Sequence, residues 1–215
     1  MKRKLPYGIY AITCESRSLG RKNIEVVREM IKGGIEILQY REKNNKTMKE
    51  KYFECLEISK IAKENGILFI VNDYIDIAMA VDADGIHIGQ DDIPVEVARK
   101  LLGHNKIIGV STHCPEQAIK AVEDGADYIG VGPIFYTNTK ENVVSPVGIE
   151  YLDFVAKNFS IPFVAIGGIK ETNIEEVLRH GAKTVAMVTE ITEAINIVEK
   201  IQSLRKKLRD FKIIQ

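Results

Sequence analysis

The chain has 215 residues, 45% of them hydrophobic and 28% charged, which is the composition of an ordinary globular protein and not of a disordered one. Lys and Arg number 30 and so do Asp and Glu, so no overall field draws the chain to nucleic acid or anionic lipid, and any anion site is local. Cys14, Cys55 and Cys114 are odd in number, widely spaced and without a CxxC pair, which excludes a zinc ribbon and a disulfide framework and points to free thiols in a reducing compartment. The start Met1-Lys2-Arg3-Lys4-Leu5-Pro6 leads into no apolar signal segment, and no run of about 18 apolar residues occurs. The expectation is a cytoplasmic protein with no membrane partner.

In chain order, strands are predicted at 8–13, 37–42, 68–73, 85–89, 107–112, 128–132, 163–167 and 184–188. Each is a short, nearly continuous apolar run, as in strands buried on both faces of a parallel sheet. Amphipathic helices are predicted between and after them. Residues 23–33 put Val26, Val27, Met30 and Ile31 on one face, and 47–65 put Phe53, Leu56, Ile61 and Ala62 near one stripe. A short helix at 75–82 fits the brief connection there, and 95–102, 115–124, 149–158, 173–180 and 192–209 follow the same pattern. Glycines close several of these stretches, where a left-handed cap favours them. Eight β-then-α units predict a (β/α)₈ TIM barrel, α/β in class, with 1–215 as one domain. A doubly wound sheet is the rival, but Thr13-Cys14-Glu15-Ser16 follows the first strand in place of a glycine-rich phosphate loop. The run Arg205-Lys206-Lys207-Leu208-Arg209 reads as the solvated face of the last helix.

In a barrel the chemistry sits at the C-terminal strand ends. Polar residues or glycines fall at seven of them: Gln39, Arg41 and Lys43; Asn72 and Asp73; Gln90, Asp91 and Asp92; Ser111, Thr112 and His113; Thr137, Thr139 and Lys140; Gly167 and Gly168; and Thr189. Gln39, Arg41 and Lys43 alternate, so they point inward if Tyr40 points outward. Inward cations need an anion, which is either a ligand or the carboxylates of Asp73 and Asp92. Those two carboxylates suit Mg²⁺, which takes one or two carboxylates plus substrate phosphates; the alternatives are acid–base pairs, or a cap by Asp91 or Asp92 on the helix starting near Pro94. His87 reads as a hydrogen bonder inside the barrel, since no zinc spacing surrounds it. Gly167-Gly168 with Val188-Thr189 occupies the recurrent barrel phosphate position, although glycine also serves ordinary turns. The long aperiodic stretch 134–148 reads as a lid.

At these residues the chain resembles the thiamine-phosphate synthase (thiamine-phosphate pyrophosphorylase) family over roughly 8–200. The resemblance rests on Gln39-x-Arg41-x-Lys43, Val71-Asn72-Asp73-Tyr74-Ile75-Asp76-Ile77-Ala78, Ala83-Asp84-Gly85-Ile86-His87-Ile88-Gly89-Gln90-Asp91-Asp92 and Gly132-Pro133-Ile134-Phe135-x-Thr137-x-Thr139-Lys140. It implies that a pyrimidine methyl diphosphate and a thiazole phosphate are joined to give thiamine phosphate and pyrophosphate, by a dissociative route helped by Mg²⁺. It further implies Asp73 and Asp92 as metal ligands, and Arg41, Lys43, Asn72, Ser111 and Lys140 on the diphosphate. Arg41, Lys43, Ser111 and Lys140 among these carry the catalysis. Gln39 falls in the pyrimidine site, and Thr137, Thr139, Gly168, Val188 and Thr189 on the thiazole phosphate. The partners implied are small molecules, with a homo-oligomer left open.

The chain departs from the family pattern at Tyr136, where proline is frequent, at Thr189, where serine is, and at Glu190, where a small residue is usual. A carboxylate at 190 repels a phosphate unless it points away or meets a cation. Two alternatives stand beside the synthase: a thiazole tautomerase on the same barrel, which shares Arg41, Lys43, Asn72, Asp73 and a histidine at the position of His113, and a non-catalytic barrel that binds phosphorylated ligands. Gln39 and Asp92 favour the synthase.

Overall fold

In the computed structural model, which describes residues 3–43, 46–139 and 144–215, the apolar runs become eight parallel strands. They are β1 (Gly8–Ile12), β2 (Ile37–Tyr40), β3 (Leu68–Asn72), β4 (Gly85–Ile88), β5 (Ile107–Thr112), β6 (Tyr128–Val131), β7 (Phe163–Ile166) and β8 (Thr184–Met187). Each pairs with the next, and β8 closes on β1 with Ile9 opposite Val185, so the sheet is a barrel and not a doubly wound sheet. The helices are α1 (Asn23–Gly33), α2 (Met48–Glu64), α3 (Ile75–Ala80), α4 (Val95–Leu102), α5 (Pro115–Glu123), α6 (Gly148–Asn158), α7 (Ile174–Arg179), α8 (Thr189–Thr192) and α9 (Ile197–Asp210). None is long and apolar enough to cross a membrane.

Alternation along the strands divides the core in two. Tyr10, Ile12, Ile37, Ile70, Ile107, Tyr128 and Val164 cluster within the lumen. Ile9, Leu38, Tyr40, Phe69, Val71, Ile86 and Ile129 belong to the larger cluster that also takes the helix faces. Fully burying a large apolar side chain contributes about 1.5–3 kcal/mol, so both layers are needed to hold the ring closed. Helices α1 and α9 approach so closely that a Cβ on Gly33 would stand 2.8 Å from that of Ile201.

The helix readings need three corrections. On α2, Phe53 is 56% exposed, whereas Lys51 is 3% exposed and turned inward. The predicted helix 192–209 starts later: α8 ends at Thr192, and α9 begins at Ile197, where the Asn196 side chain accepts from the Glu199 amide at 3.1 Å and caps it. Neither Asp91 nor Asp92 caps α4, whose N-cap is Pro94; Asp92 Oδ2 instead accepts from the Gly89 amide at 2.6 Å.

The N-terminal end of the barrel is stapled in a repeating way. Glu36, Asp84 and Asp127 each stand one residue before an even-numbered strand. Their carboxylates accept from the amides of Ile9, Phe69 and Ile108, at 2.7, 2.9 and 2.8 Å. Each also meets an arginine: Arg205 for Glu36, Arg3 for Asp84 and Arg99 for Asp127. These contacts stabilise the end opposite the mouth, where barrel enzymes place their chemistry.

Candidate active site

At the C-terminal mouth a cavity of about 480 Å³ opens over the exits of β5 to β8 and beside β1 and β2. Arg41, Ser111, Thr137, Thr139, Gly168, Val188 and Thr189 form part of its wall. The other predicted residues that the structure describes lie below or beside it. Tyr40 points outward and donates to Glu54 of α2 at 2.6 Å, which turns Gln39 into the lumen, where its Nε2 donates to the Tyr10 hydroxyl at 2.8 Å. Lys43, Asn72, Asp73 and Asp92 stand at the exits of β2, β3 and β4. Lys140 lies outside the described residues, as does 141–143 of the predicted lid.

Arg41 is buried, its amide held by Thr13 Oγ1 at 2.9 Å, and its buried Nε has no partner among the described residues. A buried guanidinium left short of acceptors at a cavity wall is suited to an anionic ligand. Lys43 Nζ meets Asp73 Oδ2 at 2.9 Å. Burial raises the Asp73 pKa and the charge of Asp92 adds to the rise, while Lys43 opposes both. Two adjacent carboxylates with one exposed lysine fit a divalent cation. No group of three or more His, Cys, Asp or Glu placed to hold a metal stands among the described residues, so phosphate oxygens and water would complete the shell.

On the other side, the chain leaving β6 follows the β7 exit. Ile134 N donates to Ile166 O at 2.9 Å and Phe135 N to Gly167 O at 3.0 Å. This approach explains the glycine doublet. A Cβ on Gly167 would lie 2.4 Å from Pro133 and one on Gly168 2.4 Å from the Tyr136 oxygen, and both residues have positive φ. Thr137 and Thr139 place their hydroxyls 3.0 Å apart at the cavity edge. Thr189 opens α8, whose first amides have no acceptor within the helix.

A family model described as thiamine monophosphate synthase matches residues 9–191. The thiamine-phosphate synthase of Pelotomaculum thermopropionicum is 57% identical over 197 residues, 92% of this chain and 90% of that one. That of Dictyoglomus turgidum is 53% identical over 206 residues, 96% of this chain and 92% of that one. The chain belongs to the thiamine monophosphate synthase family. Among solved structures, a thiamine phosphate pyrophosphorylase from Pyrococcus furiosus superimposes with a TM-score of 0.87 at 35% identity, covering 95% of this chain and 96% of that one.

Against this synthase family the departure at Glu190 is accounted for. Its Oε1 is 3.1 Å from Lys200 Nζ and accepts from the Glu171 amide at 3.2 Å, so its charge is met on α9. Tyr136 is 79% exposed and closes over Gly168 with its main chain. Sequence reading missed Arg17, Lys170 and Glu193 on the cavity wall, and Arg17 meets Glu193 at 2.5 Å. Arg17 follows Ser16 at the first strand exit, which was the available signal. Lys170 and Glu193 lie in turns with no periodicity to mark them.

Proposed function

We propose that the mouth of this barrel carries out the thiamine-phosphate synthase reaction with its work divided between two halves. The reaction joins a pyrimidine methyl diphosphate to a thiazole phosphate, giving thiamine phosphate and pyrophosphate. Arg41, Lys43, Asn72, Ser111 and Lys140 hold the diphosphate, and Gln39 meets the pyrimidine. Thr137, Thr139, Gly168, Val188 and Thr189 hold the thiazole phosphate. The observation that carries this reading is Arg41, a buried cation at the cavity wall whose Nε has no partner among the described residues.

Departure of pyrophosphate needs positive charge around it; Arg41 and Lys43 supply it at the β2 exit, and Lys140 of the lid adds to it on closure. Asp73 and Asp92 would hold Mg²⁺, which when bound adds charge stabilisation to the departing group. The pyrimidine methyl cation left behind is captured by the thiazole nitrogen, a neutral nucleophile that needs no base from the protein. Tyr136 to Thr139 and Val144 border this cavity, and the segment to which they belong keeps water from the cation. We read 1–215 as one such domain with small-molecule partners and a cytoplasmic setting.

The test is thiamine phosphate formation from both substrates and Mg²⁺, with an EDTA arm. Metal-dependent product is expected. Isomerisation of the thiazole with no coupling would favour the tautomerase, and binding with no turnover would favour a non-catalytic barrel.

A further inference from the structure

A file of polar side chains crosses the lumen, from the buried Gln39, Tyr10 and Tyr128 to the half-buried His87 and, at the cavity wall, the half-buried Ser111. Gln39 Nε2 lies 2.8 Å from the Tyr10 hydroxyl, which lies 2.9 Å from that of Tyr128. His87 follows, with Nδ1 2.9 Å from the Tyr128 hydroxyl and Nε2 2.8 Å from Ser111 Oγ. Gln90 Nε2 donates to the main-chain oxygen of Ser111 at 2.7 Å. The lumen is shaped around these rings. A Cβ on Gly109 would fall 2.0 Å from the Tyr128 ring, and one on Gly130 would fall 3.2 Å from the His87 ring. Gly109 stands opposite both His87 and Tyr128 in the sheet, and Gly130 opposite Ser111.

We infer that these bonds run one way, from Gln39 to Ser111, and that Tyr10, Tyr128 and His87 are positioning residues that set the Ser111 hydroxyl as a donor to the substrate diphosphate. An amide nitrogen only donates, so the Tyr10 oxygen accepts and its own hydrogen goes to Tyr128. The Tyr128 hydrogen then goes to His87 Nδ1, which carries the lone pair. A neutral imidazole with its lone pair on Nδ1 bears its hydrogen on Nε2, which faces Ser111 Oγ. Ser111 accepts on its inner side and turns its own hydrogen to the cavity. A phosphate oxygen, which only accepts, is the partner for it. Reversing a link would strand a hydrogen in the lumen. The role of Ser111 rests on the proposed synthase function; the direction of the file does not.

Two measurements test this. In ¹⁵N-histidine spectra of the substrate-free protein at pH 8, His87 carries its hydrogen on Nε2, and Tyr128→Phe yields a mixture of tautomers. A wild-type His87 protonated on Nδ1 overturns the inference, whether or not the variant folds. In kinetics, Tyr128→Phe lowers kcat about tenfold, with KM for the pyrimidine diphosphate within about threefold. Tyr128→Phe with Ser111→Ala is then no slower than Ser111→Ala alone, because the tyrosine acts through the serine. Independent, multiplying losses overturn the inference. A wild-type protein without turnover counts against the synthase function alone, and the His87 tautomer still decides the direction of the file.

Discussion

The ammonium of Lys51 lies 2.6 Å from the main-chain oxygen of Lys43 and 2.5 Å from the Tyr74 hydroxyl, with the Tyr74 ring centred 4.1 Å away. Lys51 is on α2, Lys43 is at the β2 exit, and Tyr74 follows Asp73. One buried cation therefore ties the loop bearing Lys43 to the loop bearing Asp73. Lys51→Met keeps the apolar stem and removes the donors. The expected outcome is a KM for the pyrimidine diphosphate about tenfold higher and a greater Mg²⁺ requirement, with unchanged circular dichroism. An unchanged KM would separate Lys51 from the site.

Asp73 combines a φ of 60° with a pKa raised by burial and by Asp92. The folded state binds this proton more tightly than the unfolded chain. Its contribution therefore turns unfavourable as pH rises from the ordinary carboxylate range through the raised value, and the penalty is complete above that. Asp73→Asn removes the charge, and asparagine tolerates the left-handed backbone. It should stabilise the metal-free protein by about 1 kcal/mol at pH 8 while abolishing turnover. Urea unfolding decides this, and a lower midpoint would contradict it.

Glu15 shows the opposite sign. Burial works against its charge, but Lys46, the Asn23 amide and Lys22 outweigh it and hold the carboxyl down to about 2. Its stabilisation is present above the unfolded value of 4.5 and is lost as pH falls towards 2. Glu15→Gln should be less stable than the parent at neutral pH, the difference closing as pH falls through that window. Parallel stability curves would exclude the assignment.

Glu190 stands on the cavity wall, where its carboxylate is engaged by Lys200 and by the Glu171 amide. Lys200→Met should free the carboxylate and raise KM for the thiazole phosphate by about threefold to tenfold. Adding Glu190→Gln should restore it. A double variant as impaired as the single one would show that Lys200 acts otherwise.

At the closed end, Asp127→Ala removes the acceptor for the Ile108 amide and for Arg99. A loss of about 2–3 kcal/mol in unfolding free energy is expected, with kcat and KM within about twofold. A large kinetic effect without loss of stability would argue against the separation of the two ends.

Strands buried on both faces must be apolar throughout, so β1 to β8 were legible as runs and lie within a residue or two of their predicted bounds. The exits were legible for the same reason, since Arg41, Asp73 and Ser111 interrupt those runs. Lys51 was not, because a lysine takes an inward position only where a carbonyl and a tyrosine from other loops receive it. The start of α9 was hidden because Ala194 and Ile195 continue the helical composition, although Ile195 is 95% exposed. Tyr10 and Tyr128 drew no reading of their own within strands 8–13 and 128–132, since their hydroxyls acquire meaning only through partners on other strands. The site residues Arg17 and Glu193 owe their meeting to closure of the barrel, which brings the β1 and β8 exits together.

The acid–amide staples of Glu36, Asp84 and Asp127 also act on alignment. Sliding a strand by one residue would turn Gln39, His87 or Ser111 from the lumen to the helix layer, and would draw the matching carboxylate off its amide. Each staple joins an odd strand to the even strand that follows it, so three strand pairs are locked individually at the end remote from substrate. Loops at the mouth can then lengthen, shorten or change their side chains without the strands losing count.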